Sequence, residues 1–192
     1  MEKLPVRTPW LKQLPNQLTL GRVAVIPILL LLYPLDFHFI KVVCAFLFAI
    51  AALTDILDGY LARKNASVSQ LGALLDPLAD KMLVAAGLLL VVNEDSLWTW
   101  MAGLLLCRDI GISSLRMVAM EQGFSISVNI YGKLKTIVQD VMIFCLMINQ
   151  PFLDLPLKEI GWLCAWAALG LSLWSGWLYA AEFWEKSKHR LS

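Results

Sequence analysis

Six runs of mostly apolar residues divide the chain, at about 18–35, 39–62, 74–92, 97–118, 130–148 and 160–183. A helix needs about 20 such residues to cross a bilayer, and in lipid the backbone must satisfy its own hydrogen bonds, so each run reads as a helix. Composition agrees, with 59% of residues hydrophobic and 16% charged, against about half and a quarter in soluble domains. The expected fold is all-α: a polytopic membrane protein with six transmembrane helices and short connections at 36–38, 64–73, 93–96, 119–129 and 149–159. The expected organisation is one membrane domain, 16–192, preceded by a short N-terminal segment, 1–15. In that segment Leu4, Val6 and Trp10 stand among Lys3, Arg7 and Lys12. This pattern suits an amphipathic helix lying in a membrane surface; a frayed terminus is the alternative.

Charge placement sets an expected orientation. With the N-terminus in the cytoplasm, only Lys41 and Lys158 of the 16 basic residues fall on the far side, as the excess of cytoplasmic Lys and Arg in membrane proteins requires. Both termini are then cytoplasmic. The run at 23–35 lacks a small-residue cleavage site and reads as a retained span, and no transit peptide is evident, so a bacterial inner membrane is expected. A net charge of +1 speaks against nucleic acid as a partner. Cys44, Cys107, Cys145 and Cys164 lie singly in apolar runs and read as small apolar filler. Trp98, Trp100, Trp162 and Trp184 fall near span ends, where indoles prefer the interface.

Within this apolar chain, ionisable residues inside spans are functional candidates. Asp55 and Asp58 fall near the end of the second span, and Asp76 and Asp80 at the start of the third. A short connection makes those helices antiparallel neighbours, with all four acids at one depth. Asp55, Asp58, Gly59 and Ala62 follow i, i+3, i+4, i+7 and share a helix face; Asp76 and Asp80 follow i, i+4. Four carboxylates in a low dielectric repel strongly and call for cations. An oxygen-only donor set favours Mg²⁺ or Mn²⁺, and four acids suit two divalent ions better than one. Gly59 and Ala62 clear the helix face for a bulky ligand. Gly72 gives similar clearance, or a flexible lead-in to the third span. Arg63 adds a planar cation suited to phosphate. Asp76, followed by Pro77, could also cap the third helix. A divalent-cation transporter is the reading from another class, but the acids gather at one end and few polar groups continue across the outer halves.

The sequence Asp55-Ile-Leu-Asp58-Gly59-Tyr-Leu-Ala62-Arg63, then eight residues, then Gly72-Ala-Leu-Leu-Asp76-Pro-Leu-Ala-Asp80, resembles the signature of the CDP-alcohol phosphatidyltransferase family at every fixed position. The resemblance implies a six-span fold with a cytoplasmic active site and a homodimeric assembly; small residues such as Ala102 and Gly103 would permit close helix contact. It implies that Asp55, Asp58, Asp76 and Asp80 bind two divalent ions, that these grip the diphosphate of CDP-diacylglycerol, and that Gly59, Arg63 and Ser69 contact its CDP moiety. Asp80, the last acid, is then the candidate general base for the acceptor hydroxyl, whose oxygen attacks the β-phosphorus as CMP leaves. Asn16 and Thr19 have two readings, as lining of the nucleotide pocket or as caps of the first span.

The acceptor must be read elsewhere. Arg108, Arg116, Lys133 and Lys135 lie in or beside the fourth and fifth spans, a cluster suited to a second phosphate carried by the acceptor. Arg108 and Arg116, i and i+8, are close to one face. Lys133 and Lys135, i and i+2, diverge if both are helical, and Asp109 could neutralise an arginine locally. Anchoring and snorkelling are the bland account of these cations. Arg108-Asp109, Ser113-Ser114-Leu115-Arg116, Gly132-Lys133-Leu134-Lys135-Thr136, Gln139, Pro15-Asn16-Gln17-Leu18-Thr19 with Arg22, and Leu173-Trp174-Ser175 resemble the branch of the family that uses sn-glycerol 3-phosphate. That implies a role in anionic phospholipid biosynthesis, toward phosphatidylglycerol. Inositol phosphate and phosphatidylglycerol are the alternative acceptors.

Overall fold

A computed structural model describes the backbone of residues 14–65, 70–127, 129–150 and 155–191, and within these the side chains of all but 14–18, 55–65, 70–77 and 189–191. The predicted segment 1–15 lies almost wholly outside the described residues. The described residues form α1 (Leu14–Leu32), a 3-10 turn (Tyr33–Leu35), α2 (His38–Asn65), α3 (Gln70–Asn93), α4 (Thr99–Glu121), α5 (Ile130–Ile148) and α6 (Leu157–Leu191). They contain no strand, as expected for an all-α chain, and each helix coincides with one apolar run. Among them one helix, Leu157–Lys188, is long and apolar enough to cross a membrane, and shorter apolar stretches run over Thr19–Leu35 and His38–Thr54.

The chain divides into two compact units, Met1–Gly87 and Leu88–Ser192, with α3 running from the first into the second. In the first unit α1 packs on α2. The reason is in the spacing. Thr19, Arg22, Ile26, Leu29 and Tyr33 recur at alternating intervals of three and four and are all buried, as are Cys44, Ala45, Phe48, Ala51 and Ala52 on α2. Such intervals place side chains on one stripe of a helix. Leu31, Phe39 and Ile50, off these stripes, are exposed. The turn between the two helices uses Asp36 in the left-handed conformation, with its carboxylate accepting from Lys41 Nζ at 2.6 Å.

In the second unit α6 packs along α5 and also against α4. The α5 stripe Lys135, Gln139, Met142, Ile143, Leu146 is buried. Gly161, early in α6, lets α5 approach closely: a Cβ there would lie 2.6 Å from Leu146 Cδ2 and 2.8 Å from its Cγ. At the other end of the pair, Asn129 N donates to Tyr179 Oη at 3.0 Å, so α5 and α6 run antiparallel. Helices α3 and α4 stop in the same way. Ser96 N donates to Val91 O and Asp95 N to Val92 O; Phe124 N donates to Ala119 O and Gly123 N to Met120 O. These paired bonds satisfy the last free carbonyls and need one left-handed residue. Gly123 (φ 77°) takes that position without strain in α4, and Asp95 (φ 52°) takes it in α3.

Candidate functional site

The first candidate group lies on α2 and α3. Asp55, Asp58, Gly59, Ala62 and Arg63 all fall within α2, and Gly72, Asp76 and Asp80 within α3. The assumed helical spacing therefore holds at the backbone. The side chains at 55, 58, 62, 63 and 76, that of Asn16 on α1, and the whole of Ser69 lie outside the described residues. Asp80 is half-buried and Thr19 is buried on the α1 stripe. Among the described residues no three Asp, Glu, His or Cys side chains gather as a metal set; of the four aspartates only Asp80 is among them.

Two expectations about this region are corrected. The connection at 64–73 is shorter than anticipated, because α2 continues to Asn65 and α3 already begins at Gln70. Gly72 is therefore inside a helix, where it can give clearance but is no flexible lead-in. Asp76 lies inside α3 and does not cap it. Continued helix satisfies backbone groups that a longer loop would leave open, and this outweighs the weak breaking tendency of one glycine and a proline near the N-terminus.

The second group lies in the unit formed by α4–α6, and it is a set of closed ion pairs. Lys135 Nζ donates to both oxygens of Asp109, each at 2.5 Å. Arg108 NH1 donates to Asp109 Oδ1 at 3.1 Å, NH2 to Ser175 Oγ at 2.6 Å, and Nε to the Ser172 carbonyl at 3.1 Å. The Arg108 guanidinium also lies over the Tyr179 ring, 5.9 Å from its centroid, a favourable placement for a cation. The side chains of Lys135, Arg108 and Asp109 are 2%, 14% and 18% exposed, so the pairs are largely removed from solvent. Burial of such charges is tolerable only with this density of partners.

The predicted basic cluster is thus divided. Arg108 and Lys135 come together through Asp109, whereas Arg116 and Lys133 are exposed. The i, i+8 relation of the arginines is about 80° off a common direction on a helix of 3.6 residues per turn, and the α4 stripe that meets Tyr179 and Phe183 is carried by Ile112, Leu115 and Ala119 instead. Lys133 and Lys135 are both helical, because α5 starts at Ile130, and they diverge as their spacing dictates.

Sequence reasoning missed Ser172, Tyr179, Glu182 and Lys186. With Ser175 they form a polar stripe on α6 at intervals of three and four. Glu182 accepts from Ser127 N and Oγ, at 3.2 Å to Oε1, and from Lys186 Nζ at 2.7 Å, while Lys186 Nζ also donates to Ser125 O at 2.9 Å. The stripe pins the α4–α5 connection as well as Arg108, and its period was visible in the sequence. A separate aromatic group joins α4 and α6: Trp98 lies 5.9, 4.6 and 6.1 Å from Trp100, Trp162 and Trp166.

Residues 12–174 match the sequence profile of CDP-alcohol phosphatidyltransferases. The chain belongs to this family and is an enzyme of that class. Its relatives narrow the comparison. It is 37% identical over 190 residues to the CDP-diacylglycerol–glycerol-3-phosphate 3-phosphatidyltransferase of Bacillus subtilis (strain 168), covering 91% of this chain and 97% of the relative. The proteins of the same description from Pectobacterium atrosepticum and Rickettsia typhi are 37% and 32% identical, over 86% and 88% of this chain and 92% and 96% of theirs.

Proposed function

We propose that this enzyme transfers the phosphatidyl group of CDP-diacylglycerol to sn-glycerol 3-phosphate, giving phosphatidylglycerophosphate and CMP in anionic phospholipid biosynthesis. The observation that carries the reading is the complete aspartate signature, set on two consecutive helices in a chain whose relatives over nearly their full length bear that description. The six helices are proposed to cross a bacterial inner membrane with the termini and active site cytoplasmic, as a homodimer; cysteine labelling from either side and particle mass in detergent check these points.

The donor set fits divalent cations, because the signature acids bring carboxylate oxygens at helical spacing on α2 and α3. Asp55, Asp58, Asp76 and Asp80 would hold two Mg²⁺ or Mn²⁺ ions, which when bound supply charge neutralisation for the diphosphate. Arg63 adds a fork-shaped donor to the same phosphates, while Gly59, Ala62 and Gly72 leave room for the CDP moiety beside Ser69, Asn16 and Thr19. Asp80 takes the proton of the acceptor's 1-hydroxyl as that oxygen forms its bond to the β-phosphorus; the bond from phosphorus to CMP breaks and CMP carries away the electron pair. A carboxylate beside cations is ionised at neutral pH and so is available as a base.

The acceptor's phosphate is proposed to meet Arg108 and Lys135, with Arg116 and Lys133 at the exposed edge. Arg108 keeps further hydrogen-bonding faces on its terminal nitrogens, and Ser172 Oγ, 1% exposed as a residue, has no hydrogen-bond partner among the described residues. The test is CMP release from CDP-diacylglycerol by purified enzyme with each acceptor in turn. Product with glycerol 3-phosphate is expected; product only with inositol phosphate or phosphatidylglycerol would overturn the choice. Ion flux into vesicles without CMP release would favour a transporter.

A further inference from the structure

The reaction proposed above needs cations for the acceptor's phosphate, but it assigns nothing to the anion that already holds them. Asp109 is that anion. Its two oxygens accept from Lys135 Nζ, and one of them also accepts from Arg108 NH1 at 3.1 Å. Lys135 comes from α5 and Arg108 from α4, while Arg108 Nε and NH2 donate to α6 at Ser172 O and Ser175 Oγ. One carboxylate therefore ties the charged ends of two helices to a third. Arg108 and Lys135 share this one hydrogen-bonded carboxylate, while Asp140, five positions along α5, also acts on the lysine through its charge. On the α6 side Arg108 meets Ser172 and Ser175, and Gly176 leaves the Arg108 stem 3.7 Å from where a Cβ would stand.

We infer that Asp109 is a positioning residue for the acceptor site: its carboxylate fixes the Lys135 ammonium and the Arg108 guanidinium, charged and at a set separation, to receive the phosphate of a phosphorylated alcohol. Two buried cations without an anion between them would repel and turn apart. With Asp109 present, the cost of bringing them together is met during folding and not during binding, which is how preorganisation raises affinity. The carboxylate touches no reacting atom, so its effect falls on acceptor affinity and hardly on the chemical step. The inference rests on the reading that Arg108 and Lys135 bind the acceptor's phosphate.

The experiment is a double-mutant cycle read as KM for glycerol 3-phosphate and kcat at saturating CDP-diacylglycerol, on full-length enzyme in mixed micelles. Asp109→Asn is expected to raise that KM about tenfold or more with kcat and the KM for CDP-diacylglycerol within about threefold, and Asp109→Glu to recover part of the loss. Lys135→Met is expected to raise the KM similarly. Asp109→Asn combined with Lys135→Met leaves no unpaired lysine in the interior and is expected to stay within about threefold of Lys135→Met alone, because Ser172 and Ser175 still hold Arg108. If the losses multiply, or if Asp109→Asn lowers kcat and KM for both substrates alike, Asp109 does not act through the lysine and the inference is overturned. Should Asp109→Asn fail to fold, the comparison of Lys135→Met with the double variant still decides. The parent reading fails differently: Arg108→Ala and Lys135→Met would then both leave the KM for glycerol 3-phosphate at the wild-type value.

Discussion

Asp55, Asp58, Asp76 and Asp80 carry four charges of one sign on two consecutive helices, whereas Arg108, Asp109 and Lys135 carry both signs on two helices and are paired within the protein. In the function proposed above the first arrangement takes divalent cations as its counter-charge, with Arg63 the basic residue within the signature itself. The second is complete without them. A site that must borrow its counter-charge announces itself by repulsion. A site that supplies its own counter-charge can be mistaken for structure, and part of it is structure. The difference predicts how each responds to change: the aspartate group through catalysis and metal, the Arg–Asp–Lys group through acceptor affinity and helix packing.

The largest effect expected is at Asp80. Asp80→Asn removes the proposed base and one metal-binding oxygen, and loss of a general base alone costs about 10²–10⁴-fold in rate. CMP release should fall by at least that much, and excess Mg²⁺ or Mn²⁺ should not restore it; withdrawal of divalent ions by chelation from the wild type should stop turnover reversibly. Near-normal turnover of Asp80→Asn would take the base from α3 and erase the contrast between the two regions.

How far each region was legible follows from the same difference. All six helices were readable from apolar runs, each long enough to bury or solvate one helix in an apolar surrounding. The facing ends of α2 and α3 in the sequence were not: these helices persist to Asn65 and from Gln70, through polar and small residues that an apolar criterion discards. The helical placement of the four aspartates was legible because each pair falls within one helix, where period alone relates its members. The pairing of Arg108 and Lys135 was only half legible. Asp109 is one residue from Arg108 but 26 from Lys135, and Ser172 and Ser175 are 64 and 67 residues from Arg108. No period connects such positions; only the packing of α6 against α4 and α5 does. The stripe Ser172, Ser175, Tyr179, Glu182, Lys186 could have been found by applying to polar residues the period that was applied to apolar ones.

The next effect separates the two lysines of α5. Lys135→Met takes away a buried cation and should raise the KM for glycerol 3-phosphate about tenfold, the scale of one charged hydrogen bond. Lys133→Met alters an exposed residue two positions away and should stay within about twofold. Steady-state kinetics with glycerol 3-phosphate as the varied substrate compares them. Equal effects would mean that the cluster acts by diffuse charge, and that the buried pairs carry no special weight.

Packing should yield smaller changes. Gly161→Ala inserts a methyl 2.6 Å from Leu146 Cδ2, on a leucine that is fully buried. Overpacking of this kind costs about 1–3 kcal/mol. A lowered thermal midpoint in detergent with little change in either KM is expected, because the contact is far along α5 from Lys135. A raised acceptor KM would instead show that the α5–α6 spacing controls the ion group.

The smallest effect expected is at Tyr179, and it tests whether the α6 stripe serves the ion group or only the connection before α5. Its hydroxyl accepts from Asn129 N at 3.0 Å, and its ring lies beneath the Arg108 guanidinium. Tyr179→Phe removes the hydroxyl and keeps the ring. One hydrogen bond contributes about 1 kcal/mol, so stability should fall by about that amount while Arg108 keeps its aromatic support and the acceptor KM stays near wild type. Tyr179→Leu removes both, and a weak cation–π contact contributes about 0.5–1 kcal/mol. The acceptor KM should then rise a few-fold. If Phe and Leu are alike in kinetics, the ring does nothing for Arg108, and the guanidinium is held by Asp109, Ser172 and Ser175 alone.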